Sequence, residues 1–543
     1  MALSLPSLVF SQQRSEYRAF WLDTFNTNLN NHSDVAAAVR QAKATNANAI
    51  FAQVRRRGDS WYVKSLEPAP DFVPIEPGFD PLQDLISEAH ANAIEVHAFT
   101  IVGAIWNRNP TFLPSATLGP PASSDHVFNL HGGYDAVTRQ IVPGPDNWLT
   151  RTLLPDGAGG ISFQGHRFGA EFWMDFGHPD AAAYTVDVLR QLVRNYEIDG
   201  LHLDRIRYPE LEVAGQTSRT GANIGYNPTS VARFQRRHGT AESTAPPDPG
   251  DTAWMQWRRD QVTNLVRRIY LNAIAVRPQL KVSAALIAFG DGPATEESWS
   301  SIEAYWRVYQ DWRAWTEEGI LDIAMPMNYK RDHVPAQVVW TDRWNEWIKN
   351  HQYGRSAIIG LGVYLNSIEG SLRQIRRSLE PSRAGNRAIG VALYSLANVD
   401  GAVAANPLSI PAGKDTPARG GAEFALALTT SNLAYEDAAA PVFAEAALAP
   451  GLPWKLCPAS GHVMGFAKRA DGASLDTAAV TIESLDGSVT RTTATDGGGF
   501  YGGVDLPAGQ YRIAARLGSD ILVASLVEVV AGAVVTANLV AQE

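Results

Sequence analysis

From residue 17 to about 400, short apolar runs alternate with stretches in which apolar positions recur every three or four residues. The short runs read as buried strands and the longer stretches as amphipathic helices, the alternation of a parallel α/β fold. The strand-like runs are Arg18–Asp23, Ala49–Arg55, Glu95–Ile101, Gly200–Asp204, Lys281–Ala288, Leu321–Met327, Ala357–Val363 and Ala388–Ser395. They number eight, enough to close a barrel. Between them, Ser33-Asp34 offers a helix cap, and Asp80-Pro81 offers a cap followed by proline at the first helical position. The stretch from Asp180 to Tyr196 places Val186, Leu189, Leu192, Val193 and Tyr196 on one stripe. A long helix is predicted from Thr252 to Val276, stopping before Pro278.

Two segments break the rhythm, Trp106 to Phe176 after the third strand and Glu210 to Asp251 after the fourth. Both are rich in Gly, Pro, Asn and Ser. Both leave from the carboxyl side of the barrel, where loops build a cleft. Beyond Asn406 the pattern changes. Residues 407–455 are dominated by Ala, Pro and Gly and read as a linker, while Gly461 to Gln542 alternates short strands with turns. The expected fold is therefore α/β, a (β/α)8 TIM-type barrel over 17–406 after an extension at 1–16. A small all-β sandwich follows over 456–543.

Composition narrows the function. The chain has 543 residues, 45% apolar and 19% charged, with a net charge of −10. That balance argues against nucleic acid or anionic membranes as partners held by a general basic field. No run is long enough to span a bilayer. Cys457 is the only cysteine, which rules out an intramolecular disulfide and a cysteine metal cluster. The first eleven residues are mildly apolar without the basic head of a secretion signal, so the expected location is secreted or envelope-associated with the signal absent or removed. The 15 Trp and 17 Tyr suit a protein that stacks sugars, although most must serve the core.

The richest chemistry lies at Asp199-Gly-Leu-His-Leu-Asp-Arg-Ile-Arg-Tyr-Pro209. Alternation gives His202 and Asp204 one face and Leu201 and Leu203 the other. Asp204 then stands at the strand exit beside Arg205, Arg207 and Tyr208. An ordinary buried ion pair is the competing reading. Gln53, Arg55, Arg57 and Asp59 alternate at the end of the second strand, where they either scaffold the site electrostatically or touch substrate. Trp21 and Asp23 share a face at the end of the first strand. Asn328, Tyr329, Lys330 and Asp332 follow the sixth. His97 reads as a hydrogen-bonded core histidine, and Trp106 either as a sugar-stacking wall or as packing. No metal-ligand spacing, phosphate loop, GxGxxG or GxSxG elbow is present, so neither a metal nor another cofactor is expected. A cleft with carboxylates, arginines and aromatics suits cleavage of glycosidic bonds.

These segments resemble the glycoside-hydrolase-like family 10, a group of bacterial barrel proteins. The resemblance rests on Gln53–Tyr62 (QVRRRGDSWY), Asp199–Pro209 (DGLHLDRIRYP), Gln310–Trp315 (QDWRAW) and Pro326–His333 (PMNYKRDH), with weaker support at Arg18–Asp23 and Tyr226–Phe234. It implies a TIM-type barrel that hydrolyses O-glycosyl bonds of a bacterial cell-wall or extracellular polysaccharide. The tail, through Thr495-Asp-Gly-Gly-Gly-Phe500 and Leu506-Pro-Ala-Gly-Gln-Tyr511, resembles carboxypeptidase regulatory-like domains. The fourth strand also echoes the chitinase pattern DGxDxDxE, but His202 replaces its first inner Asp and Ile206 its Glu, so that mechanism is not expected. Asp204 is the expected nucleophile or charge stabiliser, kept ionised by the arginines. Asp332 is the expected general acid, with Asp23 and Asp59 in reserve and Asp291 and Glu296 behind them. Arg55, Arg57, Asp59, Trp106, Arg207, Tyr208, Asn328, Tyr329 and Lys330 are the expected substrate contacts. A catalytically silent, glycan-binding barrel is the alternative.

Overall fold

In the computed structural model the described residues are 14–107, 120–135, 140–141, 144, 146–153, 161–162, 171–210, 217–238, 245–400, 420–430, 441–518 and 520–541. Eight parallel strands close a barrel: β1 (Tyr17–Leu22), β2 (Ala49–Arg55), β3 (Glu95–Ile101), β4 (Gly200–Asp204), β5 (Lys281–Ile287), β6 (Ile323–Met327), β7 (Ser356–Gly362) and β8 (Gly390–Tyr394). The ring closes where Tyr17 to Trp21 of β1 pair with Gly390 to Tyr394 of β8. The apolar runs had marked each strand to within two residues. Parallel strands covered by helices are buried on both faces, so their sequences stay apolar instead of alternating cleanly.

The inward face is nevertheless partly polar, and it is layered. At the amino end, Glu95 accepts from the Tyr17 hydroxyl at 2.8 Å and from Lys281 Nζ at 2.6 Å, and lies 3.0 Å from His97 Nε2. Burial pushes the Glu95 carboxyl up, but His97 and Lys281 outweigh it and hold the group down at about 2. His97 is thus the core histidine expected. In the middle layer, Trp21 Nε1 donates to His202 Nε2 at 3.0 Å, and His202 Nδ1 meets Ser283 Oγ at 2.9 Å.

The outer helices follow their caps. Asn31, not Ser33 or Asp34, caps α1 (His32–Ala44), accepting from the Asp34 amide. Asp80 caps α2 (Pro81–Ala91), and α3 (Pro179–Asn195) buries Val186, Leu189, Leu192 and Val193. Asp251 caps α4 (Thr252–Val276), whose bounds agree with the periodicity.

The described parts of the stretch expected to be a linker, 420–430 and 441–455, pack on the barrel. A helix at Gly421–Thr429 buries Phe424 and Leu428 in the main core, with Phe424 edge-on to Phe20. Phe443 lies 4.6 Å beneath the Arg18 guanidinium. Leu452 enters the barrel core with Tyr17 and Ala49, Trp454 Nε1 donates to Asp322 at 2.8 Å, and Lys455 pairs with Asp322 at 3.0 Å. These few anchors are diluted by Ala and Pro, which is why the composition reads as a linker. The barrel unit accordingly extends past residue 406 to at least Lys455.

The tail folds into two four-stranded sheets around Val463, Val480, Ile482, Tyr501, Leu506 and Ile513, the expected β-sandwich. It docks on the barrel. Asp476 receives Arg233 at two oxygens, 2.7 Å each, and Asp505 receives Arg355 at 2.6 Å. In the Thr495–Phe500 turn, Asp496 accepts from the amides of Gly498 (2.8 Å) and Phe500 (2.9 Å) and pairs with Arg268 of α4 at 3.0 Å.

A plug and a linker respond differently to truncation. Leu452→Ala should lower unfolding stability by roughly 2–5 kcal/mol, the cost of a fully buried leucine. Urea unfolding measures it, and a change within about 0.5 kcal/mol is the behaviour of an unpacked linker residue.

Candidate active site

The alternation that buries His202 carries Asp204 to the carboxyl mouth of the barrel, where it is half-buried. The chain then turns sharply, with Arg205 at φ +51, and the Arg205 amide donates to Asp204 Oδ1 at 2.7 Å. Just beyond β3, the strand Ala104–Asn107 pairs antiparallel with Glu171–Trp173. This short ribbon brings Glu171 into an ion pair with Arg205, while Trp173 Nε1 donates to Glu171 Oε2 at 3.0 Å. Gly103 makes the approach possible. A Cβ there would lie 2.6 Å from the Trp173 ring and 2.9 Å from the Arg205 carbonyl oxygen.

Burial pushes the Asp204 carboxyl up from its ordinary value. Arg205 and Arg207 pull it down and Glu171 pushes it up again, leaving it raised. The arginines expected to keep Asp204 ionised thus do not outweigh its burial. Their guanidinium groups are engaged elsewhere, Arg205 with Glu171 and Arg207 with Glu210 at 2.9 Å. A carboxyl group raised above its ordinary value is better suited to donating a proton.

Across the mouth, Asp23 is buried. Its Oδ1 accepts from the amides of Phe25 (3.2 Å) and Asn26 (3.0 Å) and from Asn26 Nδ2 (2.7 Å), and its Oδ2 has no partner among the described residues. Tyr329, Tyr364 and Tyr394, from the ends of β6, β7 and β8, pack ring to ring at 5.7–6.1 Å and remain half-exposed. Trp21 packs below, 6.2 Å from Tyr329 and 6.3 Å from Tyr394. Burial raises the Tyr329 and Tyr394 hydroxyls well above their usual range, and the charges of both Asp204 and Asp23 act on each. The two carboxylates therefore share the tyrosine cluster as neighbours. Phenol tips and ring faces side by side form a surface for polyhydroxylated ligands.

Other expected site residues lie elsewhere. Arg55 is buried in a bidentate pair with Glu67 at 2.7 and 2.6 Å. Arg57 contacts Asp59 at 3.3 Å and lies over Phe72 and Trp106. These three side chains are scaffold and do not line the cleft. Trp106 is 1% exposed, packed among His126 and Phe128, and forms no sugar wall. Tyr208 is fully buried against Phe176 and Tyr309. Asn328 turns outward to Thr341 O and Asn345, and buried Lys330 donates to Ala288 O at 2.7 Å. Their neighbour Tyr329 faces in, because successive residues point to opposite sides. Arg207 is nearly buried, spanning Tyr208 O and Glu210.

Asp332 is held at 2.6 Å by Arg373 of the helix Ile368–Leu379, and its amide is bonded to Asn366. The side chain expected to act as general acid is thus tied into an ion pair with the helix after β7. Asp291 pairs with Arg343, and Glu296 with His351 and Arg313, both on the outer side of the barrel. Glu171, Tyr364 and Tyr394 were not singled out from the sequence. For Glu171 the only signal is the alternation Glu-Phe-Trp-Met-Asp at 171–175, inside a segment read as irregular.

Fold and site together define a parallel β/α-barrel protein with an acidic, tyrosine-lined mouth. The glycosyl hydrolase-like 10 family model matches residues 156–376 of the chain. It is 24% identical over 371 residues to glycosyl hydrolase YngK of Bacillus subtilis, covering 64% of this chain and 61% of that one. It is 22% identical over 355 residues to glycosyl hydrolase DigH of Escherichia coli K12, covering 60% and 68%. Thus the chain spans about three fifths of the length of YngK. Among solved structures, the glycoside hydrolase domain of PgaB (BpsB) from Bordetella bronchiseptica matches 73% of this chain and 97% of its own, at 13% identity and a TM-score of 0.44.

The buried His202 beneath this site makes stability pH-dependent. Burial lowers its basicity far below the usual value, with His97 adding to the effect. The unfolded chain binds a proton near pH 6.5 and the native one does not, so stability is complete above that value and falls as pH drops below it. The loss approaches about 1.4 kcal/mol per pH unit from this residue. Urea unfolding between pH 7.5 and 5 should show a steeper decline for the wild type than for His202→Gln.

Proposed function

We propose that the protein is a glycosidase whose proton donor is Asp204, acting on a bacterial cell-wall or extracellular polysaccharide. The observation that carries this reading is a half-buried carboxyl at the mouth of the barrel, raised by burial, with a second carboxylate, Asp23, sharing its tyrosine cluster. Asp204 protonates the glycosidic oxygen as the bond to the anomeric carbon breaks. Asp23, whose free oxygen has no internal partner, is the carboxylate that stabilises the cation-like sugar, attacks it, or activates water. Tyr329, Tyr364 and Tyr394 bind hydroxyls and one sugar face. The match to the glycosyl hydrolase-like 10 model and the similarity to the named hydrolases support glycosidase chemistry at the class level. The polysaccharide class and a location outside the cytoplasm are parts of the proposal, as is a regulatory-like tail serving as a spacer or attachment module.

Purified protein incubated with a panel of bacterial polysaccharides, with products identified by mass, tests the reading directly. Asp204→Asn should lower turnover by at least about 10²–10⁴-fold, the usual contribution of a general acid, with the circular dichroism spectrum unchanged. Wild-type turnover in that variant would exclude Asp204 as the donor. Asp23→Asn should be similarly impaired. A protein that binds a glycan and releases no product would instead be a catalytically silent barrel.

A further inference from the structure

Asp204 stands next to Arg205, yet it receives only that residue's backbone N–H. The guanidinium turns to Glu171 and lies 5.6 Å from the centre of the Trp173 ring. Glu171 is itself fixed by Trp173 Nε1 at 3.0 Å, and its side chain is 6% exposed. All three parts of this clamp depend on the ribbon that Gly103 allows to close against the Arg205 carbonyl.

We propose that Glu171 is a positioning residue for Asp204: it draws the Arg205 guanidinium off the Asp204 carboxylate and holds it against the insertion ribbon. This inference rests on the reading of Asp204 as proton donor. A free guanidinium beside Asp204 would hold the carboxylate ionised and empty it of the proton it must give. Glu171 prevents that in two ways, by neutralising the cation and by placing its own negative charge near Asp204. The other charged or titratable groups acting on this site are Arg207 and its partner Glu210 at the same strand exit, Tyr329 and Tyr394 at the ends of β6 and β8, and Asp23 after β1.

The clamp makes predictions of opposite sign for its two members. Glu171→Gln removes a negative charge and frees the guanidinium, so the Asp204 titration should move down by about one pH unit. Arg205→Met removes the cation and keeps the Glu171 charge, so the titration should move up by a similar amount. The double variant should fall between them. The titration is read by carboxyl carbon NMR of aspartate-labelled protein, with Asp204→Asn assigning the resonance. If Glu171→Gln fails to fold, Glu171→Asp keeps the charge and shortens the reach, and should also shift Asp204 downward.

On an active substrate, the alkaline limb of the kcat/KM profile should shift in the same directions. Shifts of the same sign in both single variants, or none in either, would overturn the proposal. The titration needs no turnover. Opposite shifts without hydrolysis of any substrate would leave the clamp standing and remove the glycosidase reading, and hydrolysis with unmoved titrations would do the reverse.

Discussion

The hydrogen bond from Trp21 to His202 is the constraint on which the mouth of this barrel depends. It ties the first strand to the fourth across the interior, and Ser283 continues it to the fifth. Because side chains alternate, the residue two positions on from each partner rises one layer towards the mouth. Two beyond Trp21 is Asp23, and two beyond His202 is Asp204. One buried polar contact thus sets the register of both carboxylates. It requires a neutral imidazole whose Nε2 accepts, and burial supplies that state by disfavouring the cation. Phe51 and Phe99 pack edge-on to the ring and keep it dry.

The lower layers of the interior do a different task. Glu95, Tyr17, Lys281 and His97 answer one another at the amino end, so the buried charge there is paired. Leu452 and Trp454 then cover that end. At the carboxyl end the pairing is incomplete: among the described residues Asp23 Oδ2 has no partner, and burial raises the Asp204 carboxyl. That asymmetry, charges paired below and a carboxylate oxygen left unanswered above, is the physical mark separating a stabilising face from a reactive one.

Much of this was legible in the sequence because the barrel writes itself in local patterns. Eight apolar runs, the Asp80-Pro81 cap and the Thr252 to Val276 helix were all readable from spacing alone, and so was the shared face of His202 and Asp204. What spacing could not give was the partner each polar group would find. Arg55 looked like a cleft residue until Glu67 claimed it, and Asp332 until Arg373 did. Asn328 and Lys330 flank Tyr329, and only the phase of the backbone after β6 decides which of the three faces inward. Residues 407–455 failed for another reason. Anchoring there depends on a handful of aromatic and leucine side chains set in an Ala- and Pro-rich background, and a composition average conceals them.

The departure from the chitinase pattern on β4 has a structural consequence as well as a chemical one. In place of that pattern's inner carboxylate stands His202, which is committed to the core, and in place of its acid stands Ile206, fully buried. The left-handed turn at Arg205 explains the second change, because it swings the chain so that position 206 returns to the hydrophobic core instead of entering the cleft. The strand can then present just one carboxylate, Asp204. Any further negative charge must come from other elements: Asp23 from the first strand and Glu171 from the insertion after the third. An electrostatic site spread over three elements is more exposed to changes in a loop than one written along a single strand. The insertion ribbon, although remote in sequence from β4, is therefore as much a determinant of the state of Asp204 as the strand that carries it.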